Sequence, residues 1–201
     1  DVTDQFANID TSATATLTIT ARPVTLTSGN ASKEYDGAAL TNADVEGKNA
    51  NGLTVETGWV AGEGATYVFS GTITEVGEED NAYEYTLKDN TTATNYNITK
   101  NVGKLTITES SEEIVVTPAG GTKVYDGQPL TKNEHDDFTV TGDLPEGFTW
   151  AATADGTVTN VVPGEGEKAV NAITSFIIYN AEGEDVTDQF ANIDTSATAT
   201  L

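Results

Sequence analysis

Seventeen residues, DVTDQFANIDTSATATL, fill positions 1–17 and return without a change at 185–201. An identity of that length does not arise by chance, and it gives the sequence a period of 184 positions. A lone catalytic domain has no use for its own last strand at its front end. The sequence therefore reads as a little more than one period of a tandem array, starting inside one repeat and ending inside the next.

The period is built from strands. Thr, Val and Ile are abundant, and Gly, Asn and Asp interrupt them at short, regular intervals, the pattern of short strands and tight turns. ATLTIT, ending at Thr20, predicts a strand with Leu17 and Ile19 on one face. Arg22-Pro23 interrupts it, and Val24-Thr25-Leu26 begins another, with Pro at a strand start where a missing N–H does least harm.

A second, diverged repeat lies inside the first. Lys33-Glu34-Tyr35-Asp36-Gly37, followed by Leu40-Thr41, returns ninety positions later as Lys123-Val124-Tyr125-Asp126-Gly127, followed by Leu130-Thr131. Gly52-Leu53-Thr54 matches Gly147-Phe148-Thr149, and Gly71-Thr72-Ile73-Thr74 matches Gly156-Thr157-Val158-Thr159. The endings match as well, Lys104-Leu105-Thr106-Ile107-Thr108 against Thr16-Leu17-Thr18-Ile19-Thr20. The expected organisation is residues 1–20 as the last strands of a preceding repeat, a first β module over 21–109 and a second over 110–201. Each module is expected to be a small all-β sandwich, Ig-like in architecture, with a β-grasp variant carrying one short helix as the alternative. Linkers this short predict a semi-rigid rod. Residues 1–17 should share the conformation of 185–201, and a different backbone in the two copies would count against the tandem-array reading.

The KxYDGxxLT opening and the NYNIT…GKLTIT ending resemble the YDG-type (MBG-like) tandem repeats of bacterial surface adhesins. VTGDLPEGFTWAATADGTVTNV and EGEDVTDQFANI resemble repeats in cell-wall-anchored proteins of gut Gram-positive bacteria. The resemblance covers essentially the whole chain. It implies extracellular stalk or spacer repeats, cell-wall anchored or in a secreted filament. The second module departs from it with Phe190 (and Phe6) where the first has Tyr96, and with no Gly before its final Leu-Thr strand.

Charge narrows the partners. Thirty-two acidic residues against nine basic ones leave a net charge of −23, which repels nucleic acid and anionic membrane surfaces. Neighbouring copies of the same repeat are the expected partners, with a host surface ligand as a further one. The chain has no Cys, so disulfides and thiol chemistry are excluded.

Asp36-Gly37 and Asp126-Gly127 read as turn pairs, because Gly accepts the positive φ that tight turns need. Tyr35 and Tyr125 should close the end of each core with the hydroxyl at the rim. Lys33 and Lys123 share a strand face with these tyrosines. They invite comparison with surface proteins that cross-link Lys to Asn, for which Asn95, Asn97 and Asn192 are the candidate partners; a snorkelling lysine explains the pattern equally. Glu78, Glu79, Asp80, Glu184, Asp185 and Asp188 are candidate calcium ligands, but none shows the spacing of a defined calcium loop. His135 is the only His, and its loop lacks a nucleophile-elbow pattern. Trp59 and Trp150 are read as core in preference to a sugar platform. The expected function is a non-enzymatic stalk without cofactor, and the alternative is modules that grip host glycan or protein. Exposed tryptophans would favour that alternative.

Overall fold

The computed structural model describes Gln5, residues 12–161 and residues 169–201. The described chain is all-β, and its helical pieces are 3-10 turns at Asn42–Asp44, Ala93–Asn95, His135–Asp137 and Thr187–Gln189, with Gln5 also in 3-10 conformation. Among the described residues no helix is long and apolar enough to cross a membrane.

The first module opens with β1 (Arg22–Thr27), whose Val24 and Leu26 point inward. Pro23 sits two residues before the pairing with β4 (Val55–Thr57) begins at Thr25, so its missing N–H costs that ladder nothing. On the other side β1 runs parallel to β9 (Tyr96–Asn101). Both strands then turn a corner together. β2 (Ala31–Glu34) continues β1, β10 (Gly103–Thr108) continues β9, and the two stay parallel, with Leu105 level with Ala31 and Thr108 with Glu34. The corner is tight enough that a Cβ on Gly103 would lie 2.2 Å from the Gly29 carbonyl oxygen. Beyond it β10 also pairs antiparallel with β7 (Gly77–Asn81). Two short antiparallel pairs complete the module: β3 (Leu40–Thr41) with β6 (Thr72–Ile73), and β5 (Ala65–Phe69) with β8 (Tyr83–Leu87).

The second module repeats these pairings. β11 (Ser110–Pro118) lies between β13 (Phe138–Thr141), antiparallel, and β17 (Phe190–Asp194), parallel. β12 (Leu130–Thr131) pairs with β15 (Thr157–Val158). The long β16 (Val170–Tyr179) does the work of β7 and β8 together, pairing with β18 (Thr198–Thr200) at its start and with β14 (Thr149–Ala154) along the rest. One pairing has no counterpart among the described residues. Gly121–Val124, the match of β2, meets β18 only through the Gly121 N–H on Thr200 O at 3.1 Å. The segment is not a strand.

Residues 12–20 correct an expectation. Thr14–Thr16 are irregular where the identical Thr198–Thr200 form β18, and ATLTIT is exposed coil, not a strand. Identical sequence does not carry identical conformation, because β18 exists by pairing with β16 and the first copy has no such neighbour among the described residues. Residues 1–4 and 6–11 of the first copy lie outside the described residues.

Two apolar clusters form the interior of the described residues. One is private to the first module: Val24, Leu26, Leu53, Tyr83 and Tyr96, flanked by Trp59, Tyr67 and Phe69. The other runs from Tyr35, Leu40, Val45, Leu105 and Ile107 into Ile114, Val116, Phe138, Ile178 and Phe190, so it crosses from one module to the other.

Candidate functional site: the lysine turns and the module junction

The repeated Lys-x-Tyr-Asp-Gly motif folds into the same object twice. Lys33 Nζ donates to Asp36 Oδ1 at 2.6 Å and to the Ala38 carbonyl at 2.7 Å, while the Ala38 N–H donates to the same carboxylate. Lys123 Nζ donates to Asp126 Oδ1 at 2.8 Å and to the Pro129 carbonyl at 3.2 Å, and the Gln128 N–H completes the turn. Gly37 and Gly127 take φ of 76° and 78°, the left-handed region that glycine enters freely. Each lysine therefore clasps an Asp turn. Burial pushes Asp36 up, but hydrogen bonds from Lys33 and the Ala38 amide outweigh it and hold the carboxyl below its ordinary value. Asp126 is held low chiefly by Lys123, with help from the Gln128 amide.

The tyrosine beside each clasp has a different fate. Tyr35 is 5% exposed and Tyr125 59%. Tyr35 packs edge-on against Phe148 (6.2 Å between ring centroids) and Phe190 (5.7 Å), both from the second module. Burial raises its hydroxyl pKa, and the charges of Glu75, Asp188, Asp36 and Glu182 raise it further. Polar contacts flank the rings. The buried Gln189 side chain accepts from the Val76 N–H at 2.6 Å, and Glu34 accepts from both the N–H and the hydroxyl of Ser111. Those donors hold Glu34 below its ordinary pKa. A cleft of about 540 Å³ opens beside the junction, lined by Tyr35, Asp36, Glu75, Glu146, Glu182 and Glu184 among others.

A feature that the sequence reading missed supports both modules from inside. Asn81 is fully buried and donates to the Gly29 carbonyl at 2.9 Å and to Asn42 Oδ1 at 2.8 Å, tying β7 to the corner between β1 and β2. Asn171 is its equivalent. It donates to the Ala119 and Lys132 carbonyls and accepts from the Gly156 N–H. A signal was present: Asn-Ala recurs at 81 and 171, the same ninety-position offset as the lysine motif.

The remaining candidates are dispersed. Lys33 on β2 is level with Ile107, whereas Asn97 is level with Pro23 on β1, on the other side of the corner. Asn95 is exposed in a 3-10 turn, and Asn192 donates to the Ser111 carbonyl. The lysine amines of both turns bond to Asp36 and Asp126 and to carbonyls, not to these asparagines. Glu78 and Asp80 share the Lys104 amine, at 3.1 and 2.9 Å, and Asp80 and Glu78 together raise its pKa. Glu79 lies between them on β7, opposite Leu105. Glu184 accepts from Asn180, Asp185 from Thr187 and Asp188 from Gln189. Among the described residues no group of three or more His, Asp or Glu is arranged to hold a metal ion. Trp59 packs on Tyr96 at 4.9 Å, and Trp150 is half-buried under the His135 ring, stacked at 4.2 Å.

Comparison with protein-family models, with curated proteins and with solved structures finds no match.

Proposed function

We propose that the chain is a non-catalytic stalk or spacer segment of an extracellular bacterial surface adhesin or filament. The observation that carries this reading is the junction. A stalk transmits position and load, so its modules must hold a fixed relation, and here one apolar cluster runs across the boundary with Tyr35 held between Phe148 and Phe190. Loosely tethered modules keep separate cores. β10 ends at Thr108 and β11 begins at Ser110, so a single residue separates the last strand of one module from the first strand of the next. The polar groups with the strongest repeat signal, Lys33 with Asp36 and Lys123 with Asp126, bond to one another within a turn, a structural use of charge. The surplus of negative charge keeps such rods soluble and apart.

Residual dipolar couplings on the whole chain test this reading. Amides of both modules should fit one alignment tensor, and Tyr35→Ala should split it in two. Independent tensors in the parent protein would remove the stalk reading. The alternative, direct adhesion through exposed aromatics, gains nothing from Trp59 and Trp150, which pack against Tyr96 and His135.

A further inference from the structure

The cleft of about 540 Å³ beside the junction draws its walls from both modules. Phe148 and the buried Val186 make one side apolar, and Asp36, Glu75, Glu146, Glu182 and Glu184 make the rim negative. Asp36 has Lys33 as its partner and Glu184 has Asn180. The carboxylates of Glu75, Glu146 and Glu182 accept no hydrogen bond and meet no lysine or arginine among the described residues. Elsewhere in the first module a comparable pair, Glu78 and Asp80, holds the Lys104 amine between them.

A rim of acids alone is ordinary solvated surface. Tyr35 sets this one apart. The residue is 5% exposed and lines the cleft, yet its hydroxyl has no hydrogen-bond partner among the described residues. Buried tyrosine hydroxyls usually find one. Burial raises the pKa of this hydroxyl, and Glu75, Asp36 and Glu182 of the rim are near enough to add to the rise. Carboxylates and a phenol oxygen all accept, so what completes the set is a donor with positive charge. Among the described residues no three of these carboxylates are arranged to hold a metal ion. Acceptors that come one by one from separate segments suit the rotatable donors of an ammonium better than the fixed fork of a guanidinium.

We propose that this cleft binds an alkylammonium group, the end of a lysine side chain on a partner polypeptide or of a free aliphatic amine. The ammonium donates to the Tyr35 hydroxyl and to the Glu75 and Glu182 carboxylates, and the alkyl stem lies along Phe148 and Val186. The net charge of −23 gathers cations at the surface, and the cleft selects among them by setting charge beside an apolar wall. Both modules are needed, because Tyr35 and Glu75 come from one and Phe148 and Glu182 from the other. The site goes beyond the stalk reading, since a rigid junction stands whether or not the cleft is occupied.

Amide NMR titrations of the whole chain at constant physiological ionic strength test the site. The probes are spermidine, a blocked trilysine peptide and the same peptide acetylated on every lysine. An amine that binds should shift residues 35–38, 74–75, 146–148 and 180–186 together and saturate, and the acetylated peptide should shift none. Tyr35→Phe, which keeps the ring, should weaken binding roughly tenfold, the weight of a hydrogen bond to a charged donor. Glu75→Gln with Glu182→Gln should weaken it at least as much. Glu78→Gln with Asp80→Asn, equal in charge but away from the cleft, should change it by less than about twofold, as screened charges do. Saturation by the peptide alone points to a lysine side chain of a partner, and saturation by spermidine to a free amine. Saturation by neither, shifts spread over the acidic surface, an affinity unmoved by Tyr35→Phe, or an equal loss in the remote variant would each overturn the proposal. The common alignment tensor of the two modules would survive any of these results.

Discussion

Tyr35 and Tyr125 hold the same place in the same motif, before turns of nearly the same φ and beside lysines that each bond the Asp three residues on. They differ in what lies over them. Tyr35 has β10 on one side and the second module on the other, whereas Tyr125 borders an open cleft. The turn is therefore a local object that forms without a neighbour. The burial is not local, because it needs a strand and aromatic rings that come from further along the chain. The motif makes the turn, and among the described residues Tyr35 is the one of the two tyrosines that is buried.

The sharpest way to break the comparison is at the buried asparagines. Asn171→Leu strands the Ala119 and Lys132 carbonyls and the Gly156 N–H, and Asn81→Leu strands the Gly29 carbonyl and Asn42. Each buried polar group left unsatisfied costs about 1–3 kcal/mol. Asn171→Leu should therefore destabilise by about 5 kcal/mol, and Asn81→Leu by less, read from urea midpoints. Equal losses would mean that the third bond at Asn171 adds nothing to its corner. Tyr35→Ala comes next. It empties the junction and should cost about 3–5 kcal/mol, as buried aromatic truncations do, while Tyr125→Ala should stay within about 0.5 kcal/mol, as surface changes do. A large loss at Tyr125 in dilute monomer would show its cleft already covered. The glycines follow. Ala at either Gly37 or Gly127 pays about 1–2 kcal/mol for the left-handed backbone. Only at Gly37 would the new Cβ fall 2.7 Å from Phe148, so Gly37→Ala should be the worse of the two.

Much of this was legible in the sequence, and the reasons are local. The alternation in β1 and β10, the Asp-Gly turns and the doubled lysine motif all act over a few residues, so composition and spacing carry them. The buried asparagines escaped because Asn in a strand reads as a turn signal, and only the corner it braces explains its burial. The fate of Leu17–Thr20 escaped for the opposite reason. Its pattern is that of a strand, but an edge strand forms only when a partner ladder is present, and no short-range rule supplies one. The pairing of Lys33 with Asp36 was within reach of its spacing, since the two lie on either side of a turn.

The smallest effect belongs to the two clasps, and it is read in acid. Asp36 and Asp126 both sit below the ordinary carboxyl value of 3.8 in the folded chain. Between the folded value and 3.8 the unfolded chain binds more protons, so the clasps stabilise the fold above that window and lose their contribution as pH falls through it. Both carboxylates are more than half exposed, so water and salt screen the lysine charge and the gain is slight. Carboxyl carbon NMR should find both residues titrating low in the parent. Lys33→Met should raise only Asp36 and Lys123→Met only Asp126, each toward 3.8. The stability difference between parent and variant should be flat near neutrality, shrink in high salt and vanish once both carboxyls are protonated. If Asp126 alone moved, the Asp36 turn would owe its low value to the Ala38 amide and the folded junction, and the two clasps would be alike in geometry but not in energy.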